Sequence, residues 1–191
     1  MIIESIITTT AADGSVYIAP MGVIWRDGHP ILAPFRPSST LDNLRRSSAA
    51  VINHTDDVRV FAGCLTGRRD WPVRPSERVR GWVLDNALSH QEVAVEQLEE
   101  DDLRPRFHCR VVHEATHRAF AGHNRAQAAV IEAAILVSRL HLLPWDKVER
   151  EVAYLEIAVG KTAGPRETEA WGWLVTRIAE FRRETRREAT P

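Results

Sequence analysis

The sequence has few of the features that mark secreted or membrane proteins. Its 191 residues include two cysteines, Cys64 and Cys109, which do not form a Cys-x-x-Cys pair. A disulfide framework is therefore excluded as the basis of the fold. No apolar run reaches the roughly 18 residues that a membrane span requires. The first residues carry neither a basic leader nor a long apolar stretch, so we expect no signal peptide and a cytoplasmic location.

The sequence also has no large excess of positive or negative charge. The formal net charge is −1 and the isoelectric point is about 6.7, which gives no electrostatic basis for binding nucleic acid in bulk. Lysine is scarce, because Lys147 and Lys161 are the only two. We therefore predict a small-molecule ligand, with neither nucleic acid nor membrane as a partner. The length suits one core domain with an appendage.

The first two thirds of the chain have the composition of strands joined by tight turns. We predict strands at Ile2–Thr10, Val16–Trp25, Ile31–Phe35, Ala49–Asn53, Ala87–Leu98 and Arg106–His117. Ala12-Asp13-Gly14 and Asp27-Gly28 are typical of hairpin turns. Leu41–Ser47 favours a short helix, Val58–Leu65 fits either strand or helix, and residues 68–80 favour an exposed irregular loop. Hairpin connections between strands of this kind predict a small antiparallel barrel.

From Asn124 onward the apolar residues recur with a helical period. Asn124 is a suitable N-cap for a first helix that is apolar on nearly every side. Leu143-Pro144 ends that helix, a second helix is closed by Gly160, and Gly164-Pro165 starts a third. We predict a barrel domain at residues 1–120 and a helical extension at residues 121–191 that packs on the barrel and on a second subunit.

An arginine and several hydroxyls precede the short helix in the barrel half. Arg36 offers a planar guanidinium, and Ser38, Ser39 and Thr40 offer hydroxyl donors. A helix N-terminus adds unpaired N–H groups and a partial positive charge, which suit a phosphate. The segment therefore indicates a phosphorylated cofactor. The alternative is that Ser39 or Thr40 only caps the helix.

Five segments, taken in order, resemble an uncharacterised flavin-binding split-barrel family known as domain of unknown function 447. They are Ala19–Val23, Phe35–Leu44, Val51–Asp57, Asn124–Ala126 and Lys161–Gly164. The resemblance implies a split β-barrel, similar to pyridoxamine-phosphate oxidases and flavin reductases, with a C-terminal helical extension. It also implies a homodimer that binds FMN near the subunit interface. It does not supply a substrate.

The residues of these segments include groups that FMN requires. Gly22 would let the isoalloxazine ring approach a strand without a Cβ. Asn53 offers both a donor and an acceptor to the pyrimidine edge, unless it is a turn residue. Lys161 offers a cation to the flavin or its phosphate, unless it only ends a helix. We predict as cofactor-binding residues Pro20, Met21, Gly22, Arg36, Ser38, Ser39, Thr40, Asn43, Asn53, Lys161 and Thr162.

A rival motif lies at His113, Glu114 and His117, which match the His-Glu-x-x-His pattern of zinc peptidases. His123 stands where a third ligand of the longer pattern would lie. Phe120 replaces the glycine that this pattern needs, and both methionines lie upstream of the position of a Met-turn. The motif also falls on a predicted strand, where residues four apart are ~13 Å apart. We therefore assign no metal ligands.

These observations favour an FMN-binding flavoprotein of the split-barrel class. The expected activity is that of a flavin-dependent oxidoreductase with an unidentified substrate and unassigned catalytic residues. The first alternative is a protein that binds FMN without turnover, as a carrier or sensor. The second alternative is the zinc metallopeptidase.

Overall fold

The computed structural model describes residues 1–188, which form two compact units. The first unit contains residues 1–56 and 69–120, and the second contains residues 57–68 and the chain from residue 121 onward. The strands are β1 Ile2–Thr10, β2 Val16–Arg26, β3 His29–Leu32, β4 Ala49–His54, β5 Val73–Pro75, β6 Trp82–Leu84, β7 Ser89–Glu99 and β8 Arg106–Thr116. The α-helices are α1 Ser39–Ser47, α2 Arg59–Leu65, α3 Arg125–Ser138, α4 Trp145–Thr162 and α5 Pro165–Glu188.

Six strands of the first unit form a closed antiparallel barrel in the order β1-β2-β3-β8-β7-β4. The predicted fold class, a barrel followed by helices, is confirmed. Asp27 and Gly28, at φ 50° and 80°, form the tight turn between β2 and β3. Positive φ at both central residues is what a two-residue hairpin turn requires.

The barrel core is apolar and is closed at one end by α1. Leu41 and Leu44 of α1 are buried beside Ile7, Ile52 and Phe107 of the strands. The helix begins at the Ser38 cap, whose hydroxyl accepts a hydrogen bond from Leu41 N at 3.2 Å. This packing fixes the direction of the segment that leads into α1.

The predicted irregular loop at residues 68–80 is instead part of a second, two-stranded sheet formed by β5 and β6. This hairpin is attached to the barrel by side chains of the barrel strands. The Thr8 hydroxyl donates to Trp82 O, and the Thr10 hydroxyl donates to Arg80 O at 3.2 Å. The Glu92 carboxylate accepts three backbone N–H groups at 2.6–2.8 Å, from Glu77, Arg78 and Val79. Side chains of the barrel strands, which lie outside residues 68–80, therefore hold this segment in place.

In the second unit, α3 lies among α2, α4 and α5. Its buried residues include Ala126, Val130 and Ala133, which form one core with Trp171 and Leu174 of α5. The apolar character of α3 is therefore accounted for by the helices of its own unit. The ambiguous segment Val58–Leu65 is helical as α2.

The helix starts of the second unit follow the predicted signals, but two helix ends do not. The first helix, α3, ends at Ser138 and not at Leu143-Pro144, and a short 3-10 turn, Leu140–Leu142, follows it. Asn124 caps α3, accepting a hydrogen bond from Ala126 N at 2.7 Å, and α5 begins at Pro165. The predicted end of the second helix at Gly160 is wrong, because α4 continues to Thr162. Within residues 1–188, each helix is too short or too polar to cross a membrane.

Candidate functional site

The segment from Arg36 into α1 brings several donors to one turn. Ser39 is exposed, Ser38 is half-buried, and the side chain of Arg36 is 39% exposed. The amides of Ser39 and Thr40 belong to the first turn, before any intrahelical acceptor is available. Ser38 accepts from Leu41 N and keeps its hydroxyl proton for a ligand.

Arg36 shares an acidic partner with a second arginine. Its Nη2 donates to Glu100 Oε2 at 2.9 Å, and Arg45 Nη2 donates to the two Glu100 oxygens at 2.7 and 2.8 Å. Both guanidiniums therefore converge on one exposed carboxylate. Because Arg36 uses one N–H in this contact, its remaining donors stay available to an anion at the helix N-terminus.

Thr40 and Asn43 turn inward from the same helix. The Thr40 side chain is buried. Asn43 Nδ2 donates to Thr9 Oγ1 at 2.9 Å, and its Oδ1 accepts from Arg46 Nη2 at 2.7 Å. These two side chains face the barrel, and the donors that remain on the outward surface are Arg36, Ser38 and Ser39. Pro37 and, in the first turn of α1, the acidic Asp42 are exposed there as well.

Pro20, Met21 and Gly22 lie in β2, where one edge of the strand is open. Pairing with β1 runs along all of Ile2–Thr10, whereas pairing with β3 begins only at Ile24. No strand in residues 1–188 pairs with the other edge before Ile24. Ile18 O points to that edge, where Arg69 Nη1 donates to it at 3.2 Å. By alternation, Pro20 C=O and Gly22 N–H and C=O face the same way.

The missing Cβ of Gly22 also matters within the sheet. A Cβ there would lie 2.8 Å from Cγ2 of Ile2 and 3.1 Å from Oε1 of Glu4, the residue paired with Gly22. Any larger residue would therefore displace these side chains of β1. The predicted role of Gly22, close approach of a flavin ring, stays a prediction.

Asn53 is fully buried, and the barrel uses its whole amide group. Its Nδ2 lies 3.1–3.3 Å from Ile6 O, Thr8 Oγ1 and Val51 O, and its Oδ1 accepts from Leu84 N at 2.9 Å. Because this side chain is 0% exposed and already bonded within the barrel, it is not placed to contact a flavin. Asn53 joins two strands, β1 and β4, to the hairpin.

Lys161 and Thr162 belong to the second unit, at the end of α4. The Thr162 hydroxyl donates to Ala158 O at 2.8 Å and accepts from Ala126 N at 3.0 Å. This contact, together with the bond from Asn124 Nδ2 to Thr162 O at 3.0 Å, ties α4 to the start of α3. Lys161 is exposed in the last turn of its helix.

A second polar cluster lies on the outer face of the barrel, beside the β5–β6 hairpin. His90 Nδ1 is 2.8 Å from His117 Nε2, and His90 Nε2 is 3.5 Å from Glu92 Oε1. The His113 ring lies 5.7 Å from the His90 ring. His90 and Glu92 are not among the site residues that the sequence predicts. They lie at alternate positions of β7 and so share one face, but the strand contains other polar residues, and the sequence therefore does not single them out.

The protonation of this cluster follows from its burial and its neighbours. Burial lowers the pKa of His90, although the Glu92 carboxylate acts in the opposite direction. Burial would raise the pKa of Glu92, but three backbone N–H groups outweigh it and hold the pKa below its ordinary value. Burial and the Arg74 guanidinium lower the pKa of His117. The site thus favours a neutral His90 and an ionised Glu92.

The zinc-peptidase alternative is excluded by β8. His113 pairs with Glu92, whereas Glu114 pairs with Gln91, so His113 and Glu114 face opposite sides of the sheet. Glu114 Oε2 accepts from Gln91 Nε2 at 3.3 Å on that opposite side. A general base on the far face cannot activate a water bound to His113. His123 belongs to the second unit.

The remaining candidate for chemistry in the barrel is a thiol. Burial raises the pKa of Cys109 to about 12, which keeps it protonated and unreactive near neutral pH. His54 lies 3.3 Å from Ser5 Oγ and 3.2 Å from Gln91 Oε1 through its two ring nitrogens. The Ser5 hydroxyl also lies 3.3 Å from Ile3 O, a hydrogen bond within its own strand.

The structure is a closed antiparallel β-barrel with a donor-rich turn at the start of α1, together with a helical unit. Two family models match the chain: the N-terminal domain of a protein of unknown function, DUF447, at residues 3–118, and the DUF447 model at residues 124–176. The chain therefore belongs to the DUF447 family, as the resemblance predicted.

Three solved structures illustrate what the chain is similar to. The FMN-bound protein MM1853 from Methanosarcina mazei, also of DUF447, is 19% identical, with a TM-score of 0.81 over 92% of this chain and 94% of that chain. The 2-nitrobenzoate 2-nitroreductase NbaA of Pseudomonas fluorescens is 16% identical, with a TM-score of 0.51 over 60% and 64%. The styrene monooxygenase flavin reductase SMOB of Pseudomonas putida S12 is 13% identical, with a TM-score of 0.50 over 61% and 79%. At these identities the likeness shows the fold. Comparison with curated proteins found no match.

Proposed function

We propose that this protein binds FMN, with the phosphate at the N-terminus of α1, and acts as a flavin-dependent oxidoreductase on a small molecule. The observation that carries the proposal is the donor set of Arg36, Ser38 and Ser39 on a barrel that resembles an FMN-bound member of the same family. A phosphate dianion needs a guanidinium, hydroxyls and helix amides, and this turn offers all three.

The open edge of β2 offers backbone donors and acceptors to the flavin ring. Gly22 N–H is a donor and Pro20 C=O is an acceptor, and both face away from β1. The pyrimidine end of an isoalloxazine carries carbonyl acceptors and an N–H donor, so a strand edge can satisfy it through backbone groups. The backbone of Met21 faces β1, so Met21 would contact the flavin only through its half-buried side chain.

When bound, FMN would supply reversible hydride and electron transfer. The chain would hold the phosphate, orient the ring along β2, and exclude water on the side covered by protein. Lys161, which the sequence predicts as a cation for the flavin or for its phosphate from either subunit, stays a prediction; its side chain is exposed in the last turn of α4.

We also propose a homodimer. Tyr154 and Ile157, one helical turn apart on α4, are 75% and 55% exposed in the single chain and form a short apolar stripe. A second copy that covers this stripe would bury it. Light scattering of the purified protein should give twice the mass of the chain, and Ile157→Glu should shift it toward the monomer. A monomeric wild type would refute the dimer.

The test of the cofactor and activity is spectroscopic. The protein should be purified, reconstituted with FMN, desalted and scanned for the two visible bands of oxidised flavin. Anaerobic addition of NADH or NADPH should then bleach those bands if the protein turns over. Retained flavin that neither nicotinamide reduces would favour the carrier or sensor. A protein that retains no flavin would refute the whole proposal.

A further inference from the structure

The cluster beside the β5–β6 hairpin contains buried nitrogen atoms with no hydrogen-bond partner. Among the described residues, Nε2 of His90 and Nε2 of His113 are buried and have no hydrogen-bond partner, although a carboxylate oxygen lies 3.5 Å from the first and 3.6 Å from the second. The side chains of His90 and Glu92 are 3% and 0% exposed. Leaving a polar atom buried without a partner costs roughly 1–3 kcal/mol, so two such atoms side by side require an explanation.

Hydrogen bonding determines which ring nitrogen of His90 carries the proton. Arg74 Nη2 lies 2.8 Å from His117 Nε2, and arginine can only donate, so His117 Nε2 is an acceptor. His90 Nδ1, 2.8 Å from the same His117 Nε2, must then supply its own hydrogen. In the neutral ring, His90 Nε2 is left as a lone pair.

That lone pair faces a carboxylate. His90 Nε2 is 3.5 Å from Glu92 Oε1, so two acceptors point at each other away from solvent. A cation between them would remove the conflict. A proton could bridge only His90 Nε2 and Glu92 Oε1. However, His90, Glu92 and His113 each offer one ligand atom that lies within 4.8 Å of the other two. A metal ion can take all three.

We propose that His90, Glu92 and His113 bind one divalent metal ion, for which zinc best suits the donor set. Ligand atoms about 2.0–2.2 Å from a tetrahedral zinc are about 3.4 Å apart, close to the observed separation of His90 Nε2 and Glu92 Oε1. Glu77 Oε1, 3.6 Å from His113 Nε2, is the natural fourth ligand.

Neighbouring groups hold the proposed ligands in place by hydrogen bonds, as they do around metals bound in proteins. The non-ligating nitrogen of His90 is held by His117, and both Glu92 oxygens accept backbone N–H groups of the turn at Glu77–Val79. Each carboxylate oxygen keeps a second lone pair for the metal. The ion would attach this turn to β7, which is a structural role. It differs from the role of zinc in the peptidase pattern because Glu114 faces the other side of the sheet.

The test is zinc binding by the full chain, after removal of any affinity tag, treatment with EDTA and dialysis. Calorimetric titration with Zn²⁺ alone should give one site per chain in the wild type. His113→Ala should weaken the affinity roughly 100-fold or more. His108→Ala is the matched control, because His108 is on the same strand but contacts Glu99 at 3.1 Å. It should bind zinc like the wild type.

Thermal unfolding provides a second measurement if the His113→Ala variant is poorly stable. Zn²⁺ should raise the melting temperature of the wild type and of His108→Ala but not of His113→Ala or His113→Gln. Neither measurement needs flavin, so its outcome is separate from that of the FMN proposal. A wild type that binds no zinc, or equal zinc affinity in all variants, would overturn the metal site.

Discussion

Asn53 and Leu84 are joined by a hydrogen bond from the Leu84 backbone N–H to the Asn53 side-chain carbonyl, at 2.9 Å. Leu84 is the last residue of β6, and Asn53 lies in β4, so this bond connects the hairpin to the barrel wall. The same amide group also donates to Ile6 O at 3.1 Å. One side chain thus holds together elements that are far apart in sequence.

Replacing Asn53 should therefore affect stability before it affects the cofactor. Asn53→Ala leaves buried backbone groups unpaired and should lower the free energy of unfolding by at least about 2 kcal/mol. The measurement is a urea titration with an unchanged slope. The FMN dissociation constant of the folded variant should equal that of the wild type. Full stability with lost flavin binding would show that Asn53 touches the cofactor.

The phosphate turn can be tested with two arginines that share Glu100. Arg36→Ala should weaken FMN binding by about 1.5–3 kcal/mol, the usual value of a charged hydrogen bond. Arg45→Ala also removes a Glu100 contact but lies in the last turn of α1, so it should have little effect. Fluorescence titration with FMN measures both.

Riboflavin, which has no phosphate, serves as the second ligand in this experiment. Arg36→Ala should leave riboflavin affinity nearly unchanged. If FMN and riboflavin lose affinity equally, Arg36 acts through the fold of the turn and not through the phosphate.

Asp57 should make the helical unit sensitive to acid. Burial acts to raise the Asp57 pKa, but two hydrogen bonds from the Arg59 guanidinium, at 2.7 and 2.9 Å, outweigh it and lower the pKa. The ionised form is therefore the stabilising one. Its contribution is complete above the unfolded pKa of about 3.9 and is lost as the pH falls through the lower folded value.

The check is a stability–pH profile of Asp57→Asn beside the wild type. At neutral pH the variant should be less stable by about 1–3 kcal/mol. The two curves should begin to approach each other as the pH falls below about 4 and should meet below the lower folded pKa of Asp57. Asp146→Asn, which removes an exposed pair with Arg150, should stay within about 0.5 kcal/mol of the wild type. Parallel curves for Asp57→Asn and the wild type would contradict the assignment.

Glu114→Gln should change neither the stability of the protein nor its zinc and FMN content. The Glu114 carboxylate is exposed and faces away from the histidine cluster, so the change in stability should be within about 0.5 kcal/mol. Zinc and FMN content should also be unchanged, as measured by metal analysis and absorbance. Zinc-dependent peptidase activity that disappears in Glu114→Gln would revive the rejected motif.

The sequence predicted those parts of the fold that depend on local signals. Alternation and turn residues identified the barrel strands, and Asn124 and Pro165 marked the helix starts. Arg36 and Ser38 were recognisable because a helix start is visible in sequence. Such features need only residues a few positions apart.

The rest depended on contacts between distant residues. Asn53 has the composition of a turn residue, but its partners are up to 47 positions away. The hairpin of β5 and β6 was hidden by Pro72, Pro75 and the surrounding arginines, since its order comes from Thr8 and Glu92. The histidine cluster was accessible in principle, because pairing counted back from Glu99 and Arg106 places Glu92 opposite His113.

The open edge of β2 has a further consequence for the protein without its ligand. An unpaired strand edge is a template for adding another chain, and this is a common route to aggregation. Pro20 lies in the middle of that edge and has no N–H, so an incoming strand would meet a gap in its ladder. The edge therefore tolerates a short ligand better than a neighbouring strand, and loss of the cofactor should not make the protein polymerise.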